Sequence, residues 1–242
     1  MNVVILIIAH WYIGIFIQSL FLHRYVAHQN FEMNTYLEKF FFILNYIIFG
    51  SSYMSPAAFA RMHELHHHHA DGEEDPHTPS NTWGFLGTIV RARNSYQDVY
   101  HGRKNSQPAR TYPEWKFLDR LGHHWLSRVT WVIVYIFLYS VIAEQWWHYL
   151  LLPITVAMGA LQGGLVNHLA HKVGYRNYNT ADNSRNILRL DLLFLGEAYH
   201  NNHHKFPHKL NLAKKWYEFD PIFFFLKCLD YLHIIKIKKR AL

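Results

Sequence analysis

MNVVILIIAHWYIGIFIQSLFLHRYVAH, residues 1–28, is the stretch that decides how this chain folds. Residues 1–22 contain no Asp, Glu, Lys or Arg and are about long enough to cross a bilayer core. They lack the basic start and small-residue cleavage pattern of a secretion signal, so they read as a retained span. The run ends on His23 and His28, the first of several histidine clusters. The others are His63-Glu-Leu-His66-His67, Asn167-His-Leu-Ala-His171 and His200-Asn-Asn-His203-His204.

Helix geometry gives these spacings a meaning. Residues three and four apart share a face, so His63, His66 and His67 can converge on one centre, as can His200, His203 and His204. Asn167 and His171 are one turn apart. His23 and His28, five apart, would converge only where a helix is ending. Imidazole accepts Zn, Cu, Fe or Ni. A structural zinc site is usually sulfur-rich, and the single cysteine, Cys228, is remote from the clusters. Nine histidines and an asparagine could complete two metals at about five ligands each, which favours a redox-active pair, namely iron. The contrasting reading, a membrane zinc-binding protein without catalysis, predicts redox-inert metal and leaves the order of the clusters unexplained.

Working outward, the 242 residues fit a single domain, 1–242, with a net charge of +7. The mean hydropathy of −0.11 is pulled down by 20 histidines and charged segments, so it does not exclude spans. Further candidates are residues 129–143 with their flanks and residues 146–166. The run at 40–53 is short for a span and lies between two histidine clusters, which crossing would put on opposite faces; it should be re-entrant or interfacial. The two later spans return the chain to the clusters' side. Arg24, Arg120, Arg128, Lys172, Arg176 and the tail from Lys236 to Arg240 all fall on that side, predicting that it is cytoplasmic. The expected fold is therefore all-α. It has about three transmembrane helices, one re-entrant or interfacial helix and a cytosolic helical cap, including residues 75–128, that carries the metal site. Nothing reads as a nucleic-acid module, a repeat or a disordered linker.

With these clusters the chain resembles the membrane fatty acid desaturases, specifically their acyl-CoA branch. The resemblance extends to Asp75-Pro76-His77, to Gly174-Tyr175-Arg176, and to Gly196-Glu197-Ala-Tyr-His200 running into Phe206-Pro207. The first span and preceding cytosolic segment of larger members have no counterpart in the sequence, so three spans are expected instead of four. The resemblance implies a nine-histidine di-iron centre. One iron would be held by His23, His28, His63, His67 and His203, and the other by His66, His171, His200 and His204, with Asn167 holding a water ligand. It also implies an O2-dependent oxidoreductase that introduces a cis double bond into a saturated acyl chain, an acyl-CoA with Δ9-type placement. The alternative is a histidine-box hydroxylase of lipid or alkane substrates, which shares the first hydrogen abstraction.

Arg61 and Arg91 stand at positions resembling those that hold the carrier's phosphates. Met62 replaces an acid and Ala92 a base of that pattern. No haem, flavin or ferredoxin-like segment is fused, so a separate donor is implied: ferredoxin, rubredoxin or a cytochrome b5-like protein. The implied location is a membrane, a bacterial inner membrane, with the boxes on the cytoplasmic side.

Other residues carry blander readings. His68, His69, His77 and His208 are supporting or surface groups, and His10 is a hydrogen-bonded packing residue. His101, His123 and His124 read as solvated loop residues. Glu64, Asp71, Asp75, Asp191 and Glu197 are candidates to accept a ring proton from a metal-bound histidine. Residues 221–237 read equally as an interfacial helix or as a segment packed against the cap.

Overall fold

The computed structural model describes residues 2–80, 82–103 and 111–242. Met1, which opens the first apolar run, and residues 81 and 104–110 of the expected cap lie outside the described residues. The chain is mostly helical, and its only strands among the described residues form one two-stranded pair.

Helix α1 (Asn2–Ile17) continues into a π-helix over Gln18–Ala27. Its Val4, Ile5, Ile8, Tyr12 and Ile13 face outward, while every residue of the π-helix is buried. Gln29, at φ 50°, ends the helix, and β1 (Phe31–Met33) follows. Helix α2 (Thr35–Phe49) starts at Asn34, whose side chain accepts the Leu37 N–H at 2.9 Å. It stops at Gly50, whose φ of 46° suits glycine. A bend of 77° then leads into α3 (Pro56–His69), started by Ser55 as cap and Pro56 in the first turn.

Helices α4 (Phe85–Tyr100) and α5 (Lys116–His123) lie in the expected cap. Helix α6 (Trp125–Ile142) buries only Tyr135 and Tyr139 and exposes Ile133, Phe137 and Val141. The next apolar run is broken: a 3-10 turn and α7 (Leu152–Val156) meet α8 (Met158–Ala170) at 66°. Two helices, Asn2–Ala27 and Trp125–Ile142, are long and apolar enough to cross a membrane, or up to four spans exist if each bent pair counts as one. Exposed apolar faces of this extent suit lipid better than water.

The remaining chain is largely irregular up to α9 (His200–Lys205), followed by α10 (Pro221–Tyr231) and β2 (Ile235–Ile237). Strand β2 pairs antiparallel with β1, Phe31 opposite Ile237 and Met33 opposite Ile235. The main core forms here: Leu20, Phe21, Leu22 and Val26 of the π-helix pack with Phe31, Phe42, Phe49, Leu210, Ile222, Leu226 and both β2 isoleucines. Each fully buried large apolar side chain contributes about 1.5–3 kcal/mol. That core immobilises the segment carrying His23 and His28.

Candidate metal centre

The π-helix explains the five-residue spacing that sequence reasoning assigned to a helix end. Its backbone bonds run from residue i to i+5, and the His28 N–H donates to the His23 carbonyl at 2.9 Å. One π-turn thus brings the two rings together edge to face, with Nε2 atoms 3.1 Å apart, while the helix also ends at that turn.

Helix α3 supplies His63 and His67, and α9 supplies His203, to the same point. His28 Nε2 lies 2.8 Å from His63 Nε2, His67 Nε2 is 3.0 Å from His63 and 2.8 Å from His203, and His23 Nε2 is 3.1 Å from His203. A second group forms beside it. His66 Nε2 is 3.1 Å from His204 Nε2 and 3.4 Å from His200 Nε2, and His171 Nε2 is 3.1 Å from that of His200. Within each of the quartets His23, His28, His63, His203 and His66, His171, His200, His204, the ring nitrogens lie within 4.8 Å of one another. All nine sequence-selected histidines therefore fall into two adjacent groups. Asn167 lines the cavity beside His200.

Carboxylates hold the outer ring nitrogens. His66 Nδ1 donates to Asp75 at 3.0 Å, His171 to Asp71 at 3.1 Å and His204 to Asp182 at 2.9 Å; His23 Nδ1 lies 2.8 Å from Glu197 Oε2. Three of these acids are among the sequence candidates; Asp182 is not, because it lies 22 residues before His204 in an irregular segment with no box nearby. Asp191 instead accepts the backbone N–H groups of Phe194, Gly196 and Ala198, shaping the turn that leads into α9. Glu64, among the described residues, holds none of these rings.

Electrostatics fixes the state of the rings. Burial pushes the Glu197 carboxyl up, but His23 and Arg24 outweigh it and leave its pKa at about 2. Burial also opposes ionisation of Asp71 and Asp182, yet the paired histidines hold both below the usual carboxylate range. Burial, and then neighbouring rings, hold His200 and His203 well below the usual imidazole range. With Nδ1–H engaged by a carboxylate, a neutral ring presents a bare lone pair at Nε2. Where both rings are so engaged, as in His66 and His204, buried lone pairs pointing at one another across 3.1 Å repel unless a cation stands between them. The donor set therefore fits two metal ions with all-nitrogen ligation.

An apolar cavity of about 320 Å³ reaches this centre. Its lining includes Asn167 and His200, the apolar Met54, Phe59, Met62, Ile89 and Val166, the small Gly159, Ala160, Gly163 and Gly164 of α8, and the charged Arg93 and Arg128. Its volume is that of a small-molecule site, and its lining suits a hydrocarbon.

The two sequence-selected arginines sit elsewhere. Arg91 donates from its guanidinium to the carbonyls of Asp75, at 3.0 Å, and Glu73, so it props the Asp-Pro-His turn that carries Asp75. Arg61, its Nε buried without a partner, opens into a second pocket of about 360 Å³ with Lys116, Asp119 and Arg120. His68 is exposed, and His69 pairs with Glu74 at 3.2 Å. His10 bonds the Ile48 carbonyl at 2.7 Å. His77 is buried against His66, ring centroids 4.3 Å apart. His123 corrects the solvated-loop reading: it is half-buried, stacked on Tyr100 at 3.7 Å and hydrogen-bonded at both nitrogens, to Tyr96 at 2.8 Å and the Asp119 carbonyl at 2.6 Å. The pattern of aromatic residues at Tyr96 and Tyr100, one turn apart on α4, was the available signal.

A family model described as fatty acid desaturase matches residues 1–231. Among curated relatives, an acyl-CoA C20 Delta5-desaturase of Anemone leveillei is 28% identical over 90% of this chain and 68% of its own length. Delta-9 acyl-lipid desaturase 1 of Arabidopsis thaliana is 27% identical over 86% of this chain and 66% of its length. An sn-1 stearoyl-lipid 9-desaturase of Anabaena variabilis is 26% identical over 88% and 75%, respectively. The chain thus spans about two thirds of the length of the first two.

Proposed function

Because the chain belongs to the fatty acid desaturase family, we propose that it is an O2-dependent oxidoreductase that introduces a cis double bond into a saturated fatty acyl chain at a nine-histidine di-iron centre. The observation that carries this reading is the pair of converging imidazole groups beside an apolar cavity. One iron is assigned to His23, His28, His63, His67 and His203, the other to His66, His171, His200 and His204, with Asn167 holding a water. Bound iron would supply activation of dioxygen and removal of hydrogen from two adjacent carbons.

The residues of the chain do the rest. Asp71, Asp75, Asp182 and Glu197 hold outer ring nitrogens and so aim the inner lone pairs. The cavity walls strip water from the acyl chain, and the glycine-rich face of α8 sets where its carbons lie against the histidines. Arg61, Lys116 and Arg120 offer positive charge beside the second pocket and support a phosphate-bearing carrier such as CoA. Arg91 braces the turn through Nε and one terminal nitrogen and leaves the other for the carrier's phosphates. Δ9-type placement, by this reading, is counted along the cavity.

The proposed topology has three spans, Asn2–Ala27, Trp125–Ile142 and the bent pair of 146–170, with the bent pair of 35–69 re-entrant and the histidines on the cytoplasmic side of an inner membrane. Electrons come from a separate ferredoxin, rubredoxin or cytochrome b5-like donor. The decisive experiment is mass spectrometry of membrane fatty acids from a host expressing the chain with iron and a competent donor present. A new monounsaturated acid, absent with His200→Ala, is expected. Hydroxylated lipid without alkene, or an unchanged profile, would overturn the assignment.

A further inference from the structure

The two histidine groups differ in charge. At the second group, three rings each face their own carboxylate: His66 on Asp75, His171 on Asp71 and His204 on Asp182. At the first group, among the described residues, His23 faces one, Glu197. That acid is itself engaged by Arg24, whose side chain is 1% exposed, at 3.0 Å. The same guanidinium bonds Asp220 at 2.7 Å, Ser19 Oγ and the Leu210 carbonyl at 3.1 Å. Glu197, Arg24 and Asp220 together carry one net negative charge, against three for Asp71, Asp75 and Asp182. The undescribed residues, 1, 81 and 104–110, contain no acid, so the number of carboxylates is not altered by them.

Ring number argues the other way, since five imidazoles converge in the first group and four in the second. The two considerations predict opposite orders of metal affinity. Carboxylates one ring away act on a divalent cation through a buried, low-dielectric path and raise the basicity of the nitrogen that faces it. The carboxylates outweigh the fifth ring, because each outer partner of a ligating histidine is typically worth about 10–100-fold in metal affinity, and the second group has three of them against one.

We infer that the two positions bind iron unequally: the group of His66, His171, His200 and His204 is the tighter, and Arg24 is a positioning residue that weakens the other by neutralising Glu197. This rests on the metal-centre reading above. It implies an order of loading, with the second group filled first, and a form of the protein holding one iron.

The test loads the purified full chain with ferrous iron alone and follows its release to a colorimetric chelator, a readout independent of activity. Two phases of one iron each are expected, with rates at least about tenfold apart. Asp182→Asn should accelerate the slow phase about tenfold and leave the fast one unchanged. Arg24→Gln, which uncovers Glu197, should slow the fast phase, whereas Arg24→Lys should preserve it. General structural damage would speed release, so the direction of the Arg24→Gln effect separates tuning from disruption. If Arg24→Gln does not fold, Asp182→Asn still decides. A single phase of two irons, acceleration of the fast phase by Asp182→Asn, or faster release from folded Arg24→Gln would each overturn the inference. Failure to retain any iron would instead overturn the metal-centre reading itself.

Discussion

Individual residues of this centre were unequally legible. The histidines announced themselves because helical spacing is written directly in sequence. Asp182, Arg24 and His123 did not, since each acts on a group that is distant in the chain: 22 residues away for Asp182, and 173 and 196 for the two acids of Arg24. His123 makes a prediction of its own. Its Nδ1–H donates to the Asp119 carbonyl and its Nε2 accepts the Tyr96 hydroxyl proton, a pattern only the neutral ring can make. Burial accordingly lowers its pKa to about 4. An unfolded histidine binds its proton near 6.5, so this stabilisation is complete above that value and is lost as pH falls from about 6.5 towards 4. Thermal unfolding midpoints should fall over that interval, with the other buried histidines contributing, and His123→Phe should make the fall measurably shallower. An identical slope in the variant would refute the assignment.

Elements show where local pattern was sufficient and where tertiary contacts decided. The apolar run of residues 1–22 read as a span and the matching helix is there, but its π-helical end, invisible to a 3.6-residue template, is what makes a five-residue spacing useful. The short run at 40–53 read as re-entrant or interfacial; the chain bends by 77° between α2 and α3, before His63, a break that a re-entrant loop and a broken span share. The turn depends on Gly50: at φ 46°, an added Cβ would meet the Tyr135 hydroxyl and the Trp131 ring. Gly50→Ala should therefore cost at least about 1–3 kcal/mol, measurable by denaturant unfolding in detergent. Gly163 on α8 is the opposite case, because a Cβ there meets nothing within 4 Å and projects into the cavity. Gly163→Leu should leave iron content unchanged while shifting the accepted acyl chains to shorter ones. Retained preference for the longest substrates would show that the cavity does not hold the acyl chain.

For the whole molecule, the topology rests on basic residues near the spans and is open to direct test. Cys228, the one cysteine, is exposed on α10. A membrane-impermeant thiol reagent should label it in inverted vesicles and not in intact cells; the reverse would turn the molecule over. Metal should also contribute to global stability, since it relieves repulsion among buried lone pairs and binds only the folded chain, so iron loading should raise the unfolding temperature. The closure between the two ends of the chain has a further consequence, one of timing during synthesis. Strand β1 waits for β2, Arg24 waits for Asp220 and the Leu210 carbonyl, and His23 waits for Glu197 and His203. The N-terminal span therefore enters the membrane with two of the five ligands assigned to the first iron. A nascent chain held on the ribosome with residue 195 as its last lacks His200, His203 and His204, two of them from the group of His66 and His171, and should retain less iron than the full chain, making completion of the metal centre a step that follows synthesis of the third box.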